Sequence, residues 1–101
     1  MELFHGCTSL VYVPLFDTSN LTTMSHTFTD CSSLSAIPLF DTSNITQLHN
    51  TFYNCVNVQT GALDLYRHSL NVPIHFNVFT NCGINTQTGS AELAQIPSDW
   101  K

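Results

Sequence analysis

Apolar positions along this chain follow a long repeat rather than a single helical or alternating period. A phenylalanine stands three residues before a cysteine at Phe4–Cys7, Phe28–Cys31 and Phe52–Cys55, a step of 24 residues (28 − 4 and 52 − 28). Between these pairs the phrase PLFDTSN recurs verbatim at 14–20 and 38–44. The unit reads F-x-x-C-x-x-L-x-x-(V/I)-P-x-F-D-T-S-N-(L/I)-T-x-(M/L)-x-x-x-F. Fixed apolar positions at such a period are the mark of a solenoid, in which each unit buries its apolar face only against its neighbours.

Within a unit, Leu10–Phe16 and Leu34–Phe40 read as short strands, with Pro14 and Pro38 marking where pairing stops. Parallel stacking sets Leu10 over Leu34, Val13 over Ile37 and Phe16 over Phe40. Asp-Thr-Ser-Asn then predicts a turn and a helix start, with Asn44 and Gln47 resembling a capping box. Leu21, Met24, Phe28 and Cys31 fall on one helical stripe, repeated by Ile45, Leu48, Phe52 and Cys55. This predicts a short helix or a 3₁₀ turn.

After Cys55 the unit changes. The next Phe-x-x-Cys is Phe79–Cys82, a step of 27 residues (79 − 52), and the DTSN turn is gone. Gln59-Thr60-Gly61 introduces a predicted helix over 62–70, with Asp64 in its first turn and Arg67 and His68 towards its end, as a helix dipole prefers. Gln87-Thr88-Gly89 introduces a second over 90–96, stopped by Pro97, and Trp100 is placed to fold back over the last unit. The fold class expected is an α/β solenoid of short parallel strands with short helices or 3₁₀ turns, about four coils and a C-terminal cap. Residues 1–101 form a single repeat domain: regular units over 1–55, a variant unit with an inserted helix over 56–82, and the cap over 83–101. The first unit lacks its front half, so the chain reads as a piece of a longer repeat protein.

Composition narrows the partners. The net charge is −5, and Arg67 and Lys101 are the only Lys or Arg among 101 residues. Phosphate neutralisation needs several cations, so nucleic acid is excluded, as is attraction to an anionic membrane surface. No apolar run is long enough for a membrane span. The start, MELFHGCTSLVYVPLF, has neither the basic region nor the cleavage site of a secretion leader.

The phrase FTDCSSLSAIPLFDTSNITQLHNTFYNC and its partial copy resemble the leucine-rich-repeat variant of BspA-like bacterial surface proteins, also seen in mycoplasma lipoproteins. The resemblance covers Phe4 to Cys55 well and Cys55 to Cys82 loosely. The closing AELAQIPSDWK is similar to the ends of such repeats in gut-bacterial and phage-encoded proteins. It implies a leucine-rich-repeat-like stack used in adhesion or host contact at the cell surface or on a phage particle. It carries no catalytic residue, and the L-x-x-L-x-L-x-x-N line of ordinary leucine-rich repeats is absent.

The candidate chemistry is thin. Cys7, Cys31, Cys55 and Cys82 share one repeat position, which favours a buried ladder of small apolar side chains. A disulfide between adjacent units is the oxidised alternative. A metal site lacks the C-x-x-C spacing of a zinc module. His5, His26 and His49 differ in phase against the repeat phenylalanine, so no ladder of histidine ligands is expected. A nucleophilic pair at His26 and Cys31 lacks an activating positive charge. One carboxylate per unit, Asp17 or Asp41, is too few for calcium. Asn20-Leu21-Thr22 and Asn44-Ile45-Thr46 match the N-glycosylation pattern because the unit recurs.

These readings point to a non-catalytic binding or adhesion module for a protein or glycan, with no cofactor. The positions that change between copies are the candidate contacts: Tyr12, Ser35, Tyr53 and Asn54. The alternatives are a structural spacer or tip of a larger fibre and, less favoured, a cysteine-dependent hydrolase. The open N-terminal edge near Phe4 and Leu10 is expected to pair with another copy.

Overall fold

Each Phe-x-x-Cys phrase closes a tight turn, in which the N–H of Cys7, Cys31, Cys55 and Cys82 donates to the carbonyl of Phe4, Phe28, Phe52 and Phe79. The residue before each cysteine is left-handed: Gly6, Asp30, Asn54 and Asn81 have φ of 72°, 61°, 61° and 57°. A turn with positive φ at its third position favours Gly, Asn or Asp, and those residues stand there. A computed structural model describes residues 3–101; Met1 and Glu2, where the segment read as lacking a secretion leader begins, lie outside them.

A second turn precedes the first in the middle units. Thr27 and Thr51 donate to the carbonyls of Met24 and Leu48, with His26 and Asn50 left-handed at φ of 59° and 58°. The helix expected on the Leu21–Cys31 stripe, and on its copy, therefore does not form. Left-handed residues four apart interrupt right-handed winding. The remaining N–H groups bond to the next copy instead. Met24, His26, Phe28 and Asp30 donate to Gln47, His49, Thr51 and Tyr53; Leu48, Asn50, Phe52 and Asn54 donate to Ile74, Phe76, Val78 and Thr80. Asn44 caps no helix, since its side-chain amide donates to the Ser19 carbonyl at 2.7 Å.

The expected α/β solenoid of stacked parallel strands, leucine-rich-repeat-like with about four coils, is likewise not the fold. No strand forms among the described residues. The parallel bridges Thr23–Gln47, Ala36–Thr60 and Gln47–Ile74 stand isolated. The reason lies in the proline segments. Pro14 and Pro38 have no N–H to give, and the N–H groups of Phe16 and Phe40 turn back onto the Pro14 and Pro38 carbonyls at 2.9 Å. This three-residue turn bends each segment before a ladder propagates. Neighbouring copies touch here through single bonds, Ser35 to Val11, Gln59 to Ser35 and Ile37 to Thr60.

Turn-built copies still share one core. The rings of Phe4 and Phe28 stack at 5.3 Å, Phe28 and Phe52 at 5.3 Å, and Phe52 and Phe79 at 5.8 Å, each pair within 6° of parallel. Leu34, Phe40, Ile45, Leu48 and Val58 are buried around this column. Burying one such side chain contributes roughly 1.5–3 kcal/mol, so apolar packing outweighs the few bonds between copies. The matching residues of the first copy (Phe4, Cys7, Leu10, Phe16 and Leu21) are only partly covered.

The variant region holds the helices α1 (Ala62–Arg67) and α2 (Gln87–Ala94) and a 3₁₀ turn, Ser98–Trp100. Helix α1 ends three residues short of the expected Leu70. Its two QTG phrases serve different ends. Gly61 precedes α1 at φ 105°, where a Cβ would lie 2.1 Å from the Ile37 carbonyl oxygen. Gly89 sits inside α2, which starts three residues earlier than expected because Thr86 Oγ1 accepts from the Gly89 N–H at 2.9 Å. Trp100 is buried. Its carbonyl accepts from the Phe79 N–H at 2.9 Å, the bond a following copy makes elsewhere, and its ring stacks on His75 at 4.3 Å.

Candidate functional site

The two DTSN turns border a concave surface. Asp17 accepts from the backbone N–H and the hydroxyl of Ser19 through one oxygen, at 2.9 and 2.6 Å, and Asp41 accepts from the Ser43 N–H at 3.0 Å. These bonds stabilise the charged forms and hold both carboxyls below the usual carboxylate value, although both are fully exposed. The turns are fastened to each other from behind, where buried Thr18 donates to the Asp41 carbonyl at 2.7 Å. Thr42 makes the corresponding bond to the His68 carbonyl at 3.2 Å.

Between the turns and α1 runs a trough. Its larger part, a cleft of about 440 Å³, is walled by Leu39, Asp41, Ser43 and Ile45 on one side and by His68, Asn71 and Val72 on the other. Its smaller part, about 320 Å³, lies between Leu15 and Asp17 of one copy and Leu39 and Asp41 of the next. The two parts share Leu39 and Asp41. The larger cleft exists because α1 replaces the third DTSN turn, so its end and the following residues form the far wall. Leu15 and Leu39 are 64% and 46% exposed, which makes them aliphatic floor rather than core. Neither Lys nor Arg lines the trough.

A second constellation lies on the turn side. His5 and His26 stack at 6.4 Å, His26 meets His49 edge to face at 5.4 Å, and His49 stacks on Phe76 at 4.9 Å. The bends bring these rings together despite their unequal spacing from the repeat phenylalanine. Burial, aided by His26, lowers the pKa of His49. His5 lies 3.9 Å from Asp30. No group of three metal-ligating side chains is gathered among the described residues.

The cysteines are free thiols. Cys31 and Cys55 donate to the Phe4 and Phe28 carbonyls at 3.0 Å. Burial is the leading cause that pushes Cys31 up to about 11 and Cys82 up to about 12, and Cys55 moves the same way. These are the reverse of the conditions that make a thiolate.

The four candidate contact residues do not form one cluster lining the trough. Tyr12 is 74% exposed and Ser35 donates to the Val11 carbonyl from both its N–H and its hydroxyl. Tyr53 and Asn54 are half-buried in a turn, where Asn54 joins a side-chain row, donating to Asp30 at 3.1 Å and accepting from Asn81 at 2.9 Å. Of the trough residues, Leu15 and Leu39 are hidden by the repetition itself, while Asp17 and Asp41 read only as turn residues too few for calcium. Their signal is a leucine that sits next to core Phe yet falls outside the buried set.

The model of the family described as "Mycoplasma protein of unknown function, DUF285" matches residues 1–90. The chain belongs to this family. That description bears out the mycoplasma part of the resemblance; it names neither a leucine-rich repeat nor an activity, so the BspA-like part stays without support and the ligand open. No curated protein and no solved structure matches the chain. For a DUF285 chain without such relatives, the trough has to be judged on its own chemistry. No helix among the described residues is long and apolar enough to cross a membrane.

Proposed function

We propose that this chain is a non-catalytic binding module of a bacterial or phage surface protein, and that the trough along the DTSN turns takes its protein or glycan ligand. The observation that carries this reading is the trough itself. It combines exposed leucines, two ionised carboxylates and the exposed Asn71 at its rim, groups suited to contact and orientation rather than to bond making. The buried, proton-retaining thiols of Cys31, Cys55 and Cys82 support a non-catalytic role, because three of the four cysteines are masked as nucleophiles. A glycan array and a host-protein pull-down test it, using the chain and its Leu39→Asp variant, which changes the exposed floor. A ligand retained by the former and lost by the latter is expected; silence in both formats overturns the reading.

Self-association through the front face is a second reading, favoured by the partial exposure of Phe4, Cys7, Leu10 and Phe16. Light scattering across a concentration series tests it. A monomer at every concentration overturns it.

A further inference from the structure

We infer that the trough recognises an arginine side chain of an extended peptide, its guanidinium bridging Asp17 and Asp41 and the aliphatic side chains two positions away resting on Leu15 and Leu39. This rests on the binding-module reading and names the class of its ligand.

Asp17 and Asp41 occupy the same position in successive copies. The flanking Phe16 and Phe40 rings lie 5.0 Å apart, and Asp17 is close enough to raise the pKa of Asp41 slightly against the larger lowering by Ser43. In each carboxylate one oxygen is held by the serine two residues on. Among the described residues the ion pairs are His5–Asp30 and His75–Asp99, so neither Asp17 nor Asp41 is neutralised. Two like charges one repeat apart, each with an oxygen unengaged, are complementary to one planar cation carrying several donors. Guanidinium presents five N–H groups in a fork and loses hydration more readily than ammonium, so it bridges two carboxylates better than lysine does.

The apolar half of the site points to a peptide. Leu15 and Leu39 flank the carboxylates and are exposed, and the floor continues to Ile45 and Val72. An extended chain places successive side chains on opposite faces, so aliphatic residues two positions either side of the arginine share its face and reach this floor. The chain's own cations are not available to fill the site. Lys101 Nζ is engaged with the Leu93 carbonyl at 2.8 Å, and Arg67, in the last turn of α1, is not among the residues that line it.

The test is a two-dimensional NMR titration of the chain with the blocked peptide Leu-Ser-Arg-Ser-Leu and its citrulline and lysine counterparts. Citrulline keeps the shape of arginine and removes the charge. Saturable shifts at Thr18, Leu39 and Ser43 are expected with arginine, with affinity lower by about tenfold for citrulline and intermediate for lysine. The Asp17→Asn, Asp41→Asn double variant keeps the acceptor each turn needs and is expected to lose the preference for arginine over citrulline. Equal binding of the arginine and citrulline peptides overturns the inference but leaves the binding-module reading standing. Absence of shifts with every peptide, while the glycan array or pull-down yields a ligand, does the same. Silence in all three formats overturns both.

Discussion

The imidazoles of His26 and His49 meet edge to face at 5.4 Å, although one precedes its repeat phenylalanine by two residues and the other by three. Burial is the leading cause of the lowered pKa of His49, and its Nδ1 finds no hydrogen-bond partner. The folded chain thus binds a proton at His49 more weakly than the unfolded chain does. Stability rises with pH wherever the unfolded state holds more protons. The contribution is fully present above the ordinary value of 6.5 and is lost as pH drops below it towards the lower folded value. The urea midpoint is expected to decline from about pH 7 to pH 5. His49→Phe, which keeps a ring on Phe76, should flatten that decline; an unchanged slope would exclude His49 as its source.

The phenylalanine column should dominate stability. Phe52 is fully buried between Phe28 and Phe79. Phe52→Ala removes a ring from both neighbours and leaves a cavity, at a cost of about 3–5 kcal/mol. Phe4→Ala, at the half-covered end of the column, is expected to cost clearly less. Equilibrium urea unfolding of both variants reads the difference, and equal losses would mean that the column is not the core.

Turn chemistry separates at Asn54. Its φ of 61° disfavours a Cβ-bearing residue that has no local hydrogen bonding, and its side chain links Asp30 to Asn81. Asn54→Ala should cost about 1–2 kcal/mol, while Asn54→Gly should recover the conformational part. Should the two variants unfold at the same midpoint, the side-chain row rather than the backbone would be the sole contribution.

Thiol accessibility gives an independent check on the stacked turns. Cys7 is half-buried, whereas Cys31, Cys55 and Cys82 are buried. A thiol-reactive chromophore should label Cys7 first and the other three at the rate of opening, accelerating together in urea. Rapid labelling of Cys55 in the folded state would contradict both its burial and its bond to the Phe28 carbonyl.

Much of the packing was legible in the primary structure. The register that sets Phe16 beside Phe40, the buried cysteine position and the break in type after Cys55 all follow from identical residues at identical offsets. Helix α1 was visible through its dipole-matched Asp64 and Arg67. What misled was periodicity. Leu21, Met24, Phe28 and Cys31 carry a helical spacing, yet the same spacing arises when successive turns place a side chain inward every three or four residues. The strand reading failed because β-ladders need uninterrupted donors. A proline followed by a residue whose N–H folds back on it has none to offer.

By itself, then, the amino-acid order determined which residues are equivalent, which are apolar in every copy and how little cationic charge is available, because repetition and composition are properties of the chain alone. Tertiary structure decided what those equivalences become. The left-handed residues before each cysteine send alternate N–H groups to the neighbouring copy, so turns rather than strands or helices carry the stack. The same bends bring three unequally spaced histidines into one row. They also align Asp17 with Asp41 beside an end of α1 that no local pattern connects to them. A side chain's neighbours across copies depend on where the backbone turns, and that is settled only when every copy is packed against the next.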